Sequence, residues 1–135
     1  MSEVDAALTA TARASMPLAD TLGIEMVSAT HEEVHARLPY QERLCTAGGI
    51  LHGGALMSLA DAAGAYCAFL NLPEGAAGTA TIESKTNFFR AVREGHVEAT
   101  SRPLHVGRTT IVVETDLRDD AGKHVARVTQ TQAVL

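Results

Sequence analysis

The sequence predicts an α+β fold in which an antiparallel sheet wraps around one long central helix, and three observations predict it. Residues 55–70 are the most apolar stretch of the chain and carry Asp61 as their one group charged at neutral pH, so a helix there is apolar nearly all round and belongs inside a fold. Everything after Gly78 reads as sheet: residues 79–89, 96–106, 109–117 and 124–134 are rich in Thr and Val. The breaks between them hold Glu94-Gly95, Gly107-Arg108 and Asp120-Ala121-Gly122, and their shortness implies antiparallel hairpins.

Taken in order, Ser2-x-x-Asp5 has the form of a capping box opening a short helix that runs to Ser15 and is stopped by Pro17. Residues 23–29 and 33–40 are strand-like; in the second, Val34, Ala36 and Leu38 alternate with Glu33, His35 and Arg37, the two-residue period of a half-buried strand. Pro39 closes that region, and residues 28–32 form the turn between the two strands. Residues 41–54 are a glycine-rich loop, and the helix over 55–70 is about 24 Å long at 1.5 Å per residue. With no repeat or linker, residues 1–135 read as one domain, long enough to bury roughly two-thirds of its unfolded surface.

Composition narrows the function. A net charge of −5 argues against a broad nucleic-acid surface. The longest apolar run contains Asp61 and is flanked by glycines and by Pro73-Glu74-Gly75, which argues against a membrane span. The start, Met1-Ser2-Glu3-Val4-Asp5, lacks the pattern of a secretory signal, and a cytoplasmic location is expected. Cys45 and Cys67 give neither metal spacing nor a disulfide framework; both are expected reduced, Cys67 as core.

Burying an unpaired carboxylate costs several kcal/mol, and no Lys or Arg lies within one helical turn of Asp61, so a functional role is expected for it. The string Leu51-His52-Gly53-Gly54-Ala55-Leu56-x-x-Leu59-Ala60-Asp61 at the head of such a helix resembles the hotdog-fold acyl-CoA thioesterases of the phenylacetate-degradation, or PaaI-like, type. Asn87-Phe88-Phe89-Arg90-Ala91, Gly107-Arg108 and the Asp120-Ala121-Gly122-Lys123 turn extend the resemblance over most of the chain.

Thioester cleavage requires a base or nucleophile, a donor facing the developing oxyanion, and shelter from water. Asp61 supplies the first and the Gly53 N–H at the helix start the second, with Gly54 also allowing close approach. Eight residues of helix separate Gly53 from Asp61, about 12 Å, too far to act on one carbonyl. Two copies with antiparallel helices across a two-fold axis bring Asp61 of one to Gly53 of the other, and the resemblance implies this homodimer, often paired again into a tetramer. Around Asp61 the small residues Ser58, Gly64 and Ala65, with Met57, leave room for an acyl group.

Further roles are implied by the resemblance alone. His52 shapes the loop by hydrogen bonds, with general-base catalysis as its other reading. Thr46 stands where the family has Asn or Gln orienting the thioester or water; the shorter side chain shifts the substrate, lets Cys45 or Gln41 contribute, or lowers activity. Thr81 matches a Ser or Thr supporting the water or the acid. Asn87, Arg90 and Arg108 fall at substrate-binding positions, the arginines where basic groups meet CoA phosphates. No cofactor is implied. Both routes for Asp61, direct attack or activation of water, stay open.

His31-Glu32-Glu33-Val34-His35 spells a zinc-protease pattern, but that pattern needs a helix and the segment reads as a strand hairpin, so no metal is expected. A Cys45/His52 nucleophile leaves Asp61 without a task, and no glycine pattern that cradles phosphate is present. The hydratase arrangement of acid and His on the same fold is not found. A non-catalytic acyl-CoA binder, sensing or buffering thioesters, is the alternative function.

Overall fold

The computed structural model describes residues 3–135. Helix α1 (Ala6–Ser15) is capped by Asp5, whose Oδ1 accepts the Leu8 N–H at 2.9 Å. The cap expected at Ser2 lies outside the described residues. Pro17 does more than stop α1. It opens a second helix, α2 (Pro17–Leu22), because its fixed φ and missing N–H suit the first helical position. Gly23 ends α2 in the left-handed region at φ 78°, so strand β1 (Glu25–Ala29) starts later than expected. Strand β2 (Val34–Pro39) pairs with β1 in an antiparallel hairpin closed by Thr30, as the alternation predicts.

The central helix α3 (Gly53–Phe69) begins two residues before the expected start, since His52 rather than Gly54 is its N-cap. After it come β3 (Thr79–Phe88), β4 (His96–Val106), β5 (Thr110–Asp119) and β6 (His124–Val134). All six strands form one antiparallel sheet in the order β1-β2-β4-β5-β6-β3, the hotdog architecture.

The hairpin expected across Glu94-Gly95 does not form. β3 pairs with β6 at the far edge, while β4 pairs with β2 and β5. Residues 89–95 instead run along the end of the sheet, and backbone bonds mark their path: Phe89 N to Val125 O at 2.8 Å, Leu51 N to Val92 O at 2.9 Å, and Tyr40 N to Gly95 O at 2.8 Å. The Phe89 amide donates to β6 while the Val92 and Gly95 carbonyls accept from the loop at Leu51 and the end of β2, and such pairing of backbone groups lets a connection leave its neighbours at low cost.

One flank of α3 packs into the concave face. Leu56, Leu59, Ala60, Ala63 and Cys67 are buried against Val97 and Ala99 of β4 and Ile111 and Val113 of β5. Fully burying a side chain such as Leu59 is worth about 2 kcal/mol. The expectation of burial all round is not met: Ser58, Ala62 and Ala65 are half-buried, and Asp61 and Phe69 are exposed. No described helix is long and apolar enough to cross a membrane.

Candidate active site

The loop before α3 aims its first backbone amides. The Cys45–Leu51 bridge and the bond from His52 N to Leu44 O at 2.9 Å bring the chain back on itself, and Tyr40 Oη donates to Gly49 O at 2.8 Å. His52, at φ −61° and ψ 135°, then caps the helix: its Nδ1 accepts the Gly54 N–H at 2.8 Å, and its carbonyl accepts Ala55 N and Leu56 N at 2.9 and 3.2 Å. His52 thus shapes the helix start by hydrogen bonds. The Gly53 N–H is left over, and no acceptor for it is found among the described residues. A free N–H at a helix N-terminus, where the dipole is positive, is a ready donor to an oxyanion. Space is tight here: a Cβ on Gly53 would lie 3.1 Å from the tip of the Phe88 ring, which would have to give, and one on Gly54 3.0 Å from His52 Nδ1. Gly53 opens into a cleft of about 340 Å³ that it shares with Thr46, Phe88 and Arg90.

Asp61 lies two turns on, and the structure corrects the expectation of a solitary buried charge. Its residue is exposed, on the open flank of α3. Its Oδ1 accepts from Thr81 Oγ1 at 3.1 Å and from Gln130 Nε2 at 3.3 Å, while Gln132 Nε2 donates to Thr81 Oγ1 at 2.7 Å. No hydrogen bond to Oδ2 is found among the described residues. The carboxylate therefore rests on neutral donors from the sheet instead of a cation, with one oxygen held and the other open. Asp61 lines a second cleft of about 340 Å³ with Ser58, Ala65 and Ser84 and the apolar Met16, Leu22 and Ile24. That cleft shares Met16 and Ala65 with a larger one of about 510 Å³ beneath Tyr66, Phe69 and Leu70. The Ser58 hydroxyl is committed to Gly54 O at 2.8 Å.

Within one chain the predicted residues form two groups. Gly53, Gly54, His52, Thr46 and Arg90 gather at the start of α3; Asp61, Thr81, Ser58 and Ala65 gather farther along it. Asn87 is exposed near the Arg90 end of β3. Arg108 sits in the β4–β5 turn, close to the opposite end, since Val134 pairs with Thr79 and bonds Thr109. A ten-residue strand, about 33 Å, separates the two arginines.

Sequence reasoning missed Gln130 and Gln132. Both are buried on β6, in the phase of the inward-facing Val128, and that phase was the available signal: a carboxamide where the alternation calls for a core residue. Other candidates are placed elsewhere. His31 lies in the β1–β2 turn and His35 on β2 beside Glu98 at 3.8 Å, so the helix required by the zinc pattern is not formed. Among the described residues no group of three or more His, Cys, Asp or Glu is arranged to hold a metal. Burial pushes the Cys67 thiol up to about 11, far from thiolate chemistry, and the Cys45 thiol donates to Gln41 O at 3.5 Å.

The family model described as "Thioesterase superfamily" matches residues 48–126, which include Gly53, Asp61, Thr81, Arg90 and Arg108. The chain is 31% identical over 118 residues to the proofreading thioesterase EntH of Cronobacter turicensis, covering 87% of this chain and 85% of the relative. It is 31% identical over 104 residues to the 1,4-dihydroxy-2-naphthoyl-CoA hydrolase of Escherichia coli K12, covering 77% and 76%. Among solved structures, a mutant of thioesterase PA1618 from Pseudomonas aeruginosa superposes with a TM-score of 0.88 at 30% identity over 97% of this chain and 94% of that one. A carboxylate and an unclaimed helix-start amide on this sheet-wrapped helix thus sit in a chain that belongs to the thioesterase superfamily, as a thioester hydrolase of hotdog fold.

Proposed function

We propose that the protein hydrolyses acyl-CoA thioesters, in the manner of the PaaI-like enzymes, at two equivalent sites on a two-fold homodimer. The single observation that carries this reading is the split of the site: a free donor at Gly53 and a held carboxylate at Asp61, about 12 Å apart on one helix and opening into different clefts. Strand β3 supports their reunion across an axis. Its outer edge has no strand beside it among the described residues, and Ile82 and Phe88 are 62% and 50% exposed on it. An edge of this kind is a template for pairing with another chain. Thr81 marks the position of Asp61 along β3, and Phe88 that of Gly53. Antiparallel pairing of β3 with its copy, about a two-fold between Ser84 and Lys85, sets Thr81 opposite the partner subunit's Phe88. Asp61 then faces the partner subunit's Gly53.

In that site the thioester carbonyl accepts the Gly53 N–H, and charge building on its oxygen is met by the helix N-terminus. Asp61 Oδ2 either attacks the carbonyl carbon, so that the C–S bond breaks, CoA thiolate leaves and water hydrolyses the resulting acyl–aspartyl anhydride, or takes a proton from a water whose oxygen attacks, the C–S bond again breaking and the proton passing to the departing CoA thiol; Thr81 keeps Oδ1 in place. The apolar cleft of Met16, Leu22 and Ile24 takes the acyl chain. Arg90 and Arg108, at opposite ends of β3, meet across the axis where the CoA phosphates lie, with Asn87 beside them. The name of the Escherichia coli relative, a CoA-ester hydrolase, supports CoA as the carrier.

The test is thiol release across a panel of aryl- and alkyl-CoA esters, for the native protein and Asp61→Asn. Asparagine keeps the shape and removes the basicity, so turnover falls roughly a hundredfold or more. Turnover near wild type in that variant, or calorimetric binding without thiol release by the native protein, overturns the assignment.

A further inference from the structure

We infer that Gln130 is a positioning residue for the reaction, holding Asp61 so that Oδ2 is the oxygen presented to substrate, and that Gly64 is glycine to let it do so. The inference rests on the reading of Asp61 as the reacting acid. Gln130 is fully buried on β6, and its Nε2 reaches Asp61 Oδ1 at 3.3 Å. Turning the carboxamide over would set its oxygen against a carboxylate, so the amino end must face Asp61. The oxygen then points back into the protein, where Oε1 is buried with no hydrogen-bond partner among the described residues. Its neighbour there is the backbone of α3 at Gly64: a Cβ built on Gly64 would overlap Oε1 and lie 2.6 Å from Cδ. A glycine in the middle of a helix disfavours the helix, and this one makes the space in which the carboxamide lies.

The hydrogens in the cluster are fully assigned by counting. Gln132 Nε2 donates to Thr81 Oγ1, so the single hydroxyl proton of Thr81 goes to Asp61. Two donors therefore converge on Oδ1, from β3 and from β6, and among the described residues none on Oδ2. A carboxylate pinned through one oxygen cannot spin freely about its bond to Cβ, and its other oxygen is directed into the cleft lined by Ser58 and Ala65. A carboxamide that served only to fill the core would be a poor choice, because an apolar side chain of the same length avoids the unpaired Oε1.

Gln130→Met tests this, since methionine keeps the length and removes both polar ends. The expected result is a melting temperature equal to or above wild type, kcat lowered roughly tenfold and KM within about threefold, because one of two donors to the charged group is lost. A purely structural role predicts the reverse, a lower melting temperature with kcat intact. Gly64→Ala approaches the same contact from the helix side and is expected to lower kcat with Gln130 still present. Wild-type kcat in both variants, beside an inactive Asp61→Asn, overturns the role of Gln130 alone; an active Asp61→Asn overturns it together with the reading of the site.

Discussion

Replacing Gly53 with proline removes the N–H proposed to meet the oxyanion and leaves the rest of the helix start intact. The structure makes room for this change. Gly53 is the first helical residue, the position where proline is most readily accepted, and His52 before it already has ψ 135°, the extended conformation that a following proline demands. The Gly54 bond to His52 Nδ1 and the bonds from Ala55 and Leu56 to the His52 carbonyl need no Gly53 proton. The new Cβ lies 3.1 Å from the tip of Phe88, a ring that is 50% exposed and free to give way, so the fold should lose no more than about 1 kcal/mol. Losing one oxyanion donor costs about 3 to 4 kcal/mol in the transition state, or roughly a hundred- to a thousandfold in kcat. Thiol release from an acyl-CoA, followed beside a thermal melt, reads both numbers. Coexpression with Asp61→Asn adds the geometry: each mixed dimer carries one site with both defects and one with neither, so random pairing restores about a quarter of wild-type activity. Wild-type kcat in the folded proline variant, or a mixture no more active than its two parents, refutes the reasoning.

Two further changes test stability. Gly64→Ala gains about 1 kcal/mol of helix propensity and loses about 1 to 3 by overpacking the Gln130 carboxamide, so circular dichroism melts should move down by several degrees. In a Gln130→Ala background the same methyl enters vacated space, and the substitution should be neutral or stabilising. Burial alone would raise the Asp116 carboxyl, but Arg127 and His124, each at 3.0 Å, outweigh it and hold the group below the ordinary carboxylate range. Its contribution is therefore present above pH 4 or so and is lost as pH falls through the depressed value; acid titrations of wild type and Asp116→Asn should differ by less than about 1 kcal/mol at neutral pH and converge at low pH.

How far the sequence could be read depended on whether the deciding contact is local. The strands over His96–Val106 and His124–Val134 were legible to the residue, because alternation and turn residues are properties of adjacent positions. The central helix and the place of Asp61 on it were legible for the same reason, although the helix begins at Gly53 and not at residue 55. Helix α2 was not, since Pro17 signals both the end of one helix and the first position of the next, and only the left-handed Gly23 beyond it separates these meanings. The position of β3 at the sheet edge depends on where residues 89–95 cross, a choice made by partners on β6, β2 and the loop at Leu51.

Asp61 itself shows how the two kinds of information differ. The proposal that it is the reacting group rests on its place on the helix, while its surroundings come from Thr81, 20 residues away, and Gln130, 69 residues away. Reading α3 as apolar all round led to a buried charge without partners, because alanines count as apolar whether they face the sheet, as Ala60 and Ala63 do, or the open flank, as Ala62 and Ala65 do. Only the fold distinguishes these two flanks, and the flank on which Asp61 falls decides its chemistry. On the sheet side a carboxylate would need a cation beside it; at the boundary it rests on two neutral donors and keeps one oxygen open. The same boundary explains why the supporting carboxamide escaped notice: Gln130 looks like a surface residue of an ordinary strand until the phase of Val128 places it beneath Gly64.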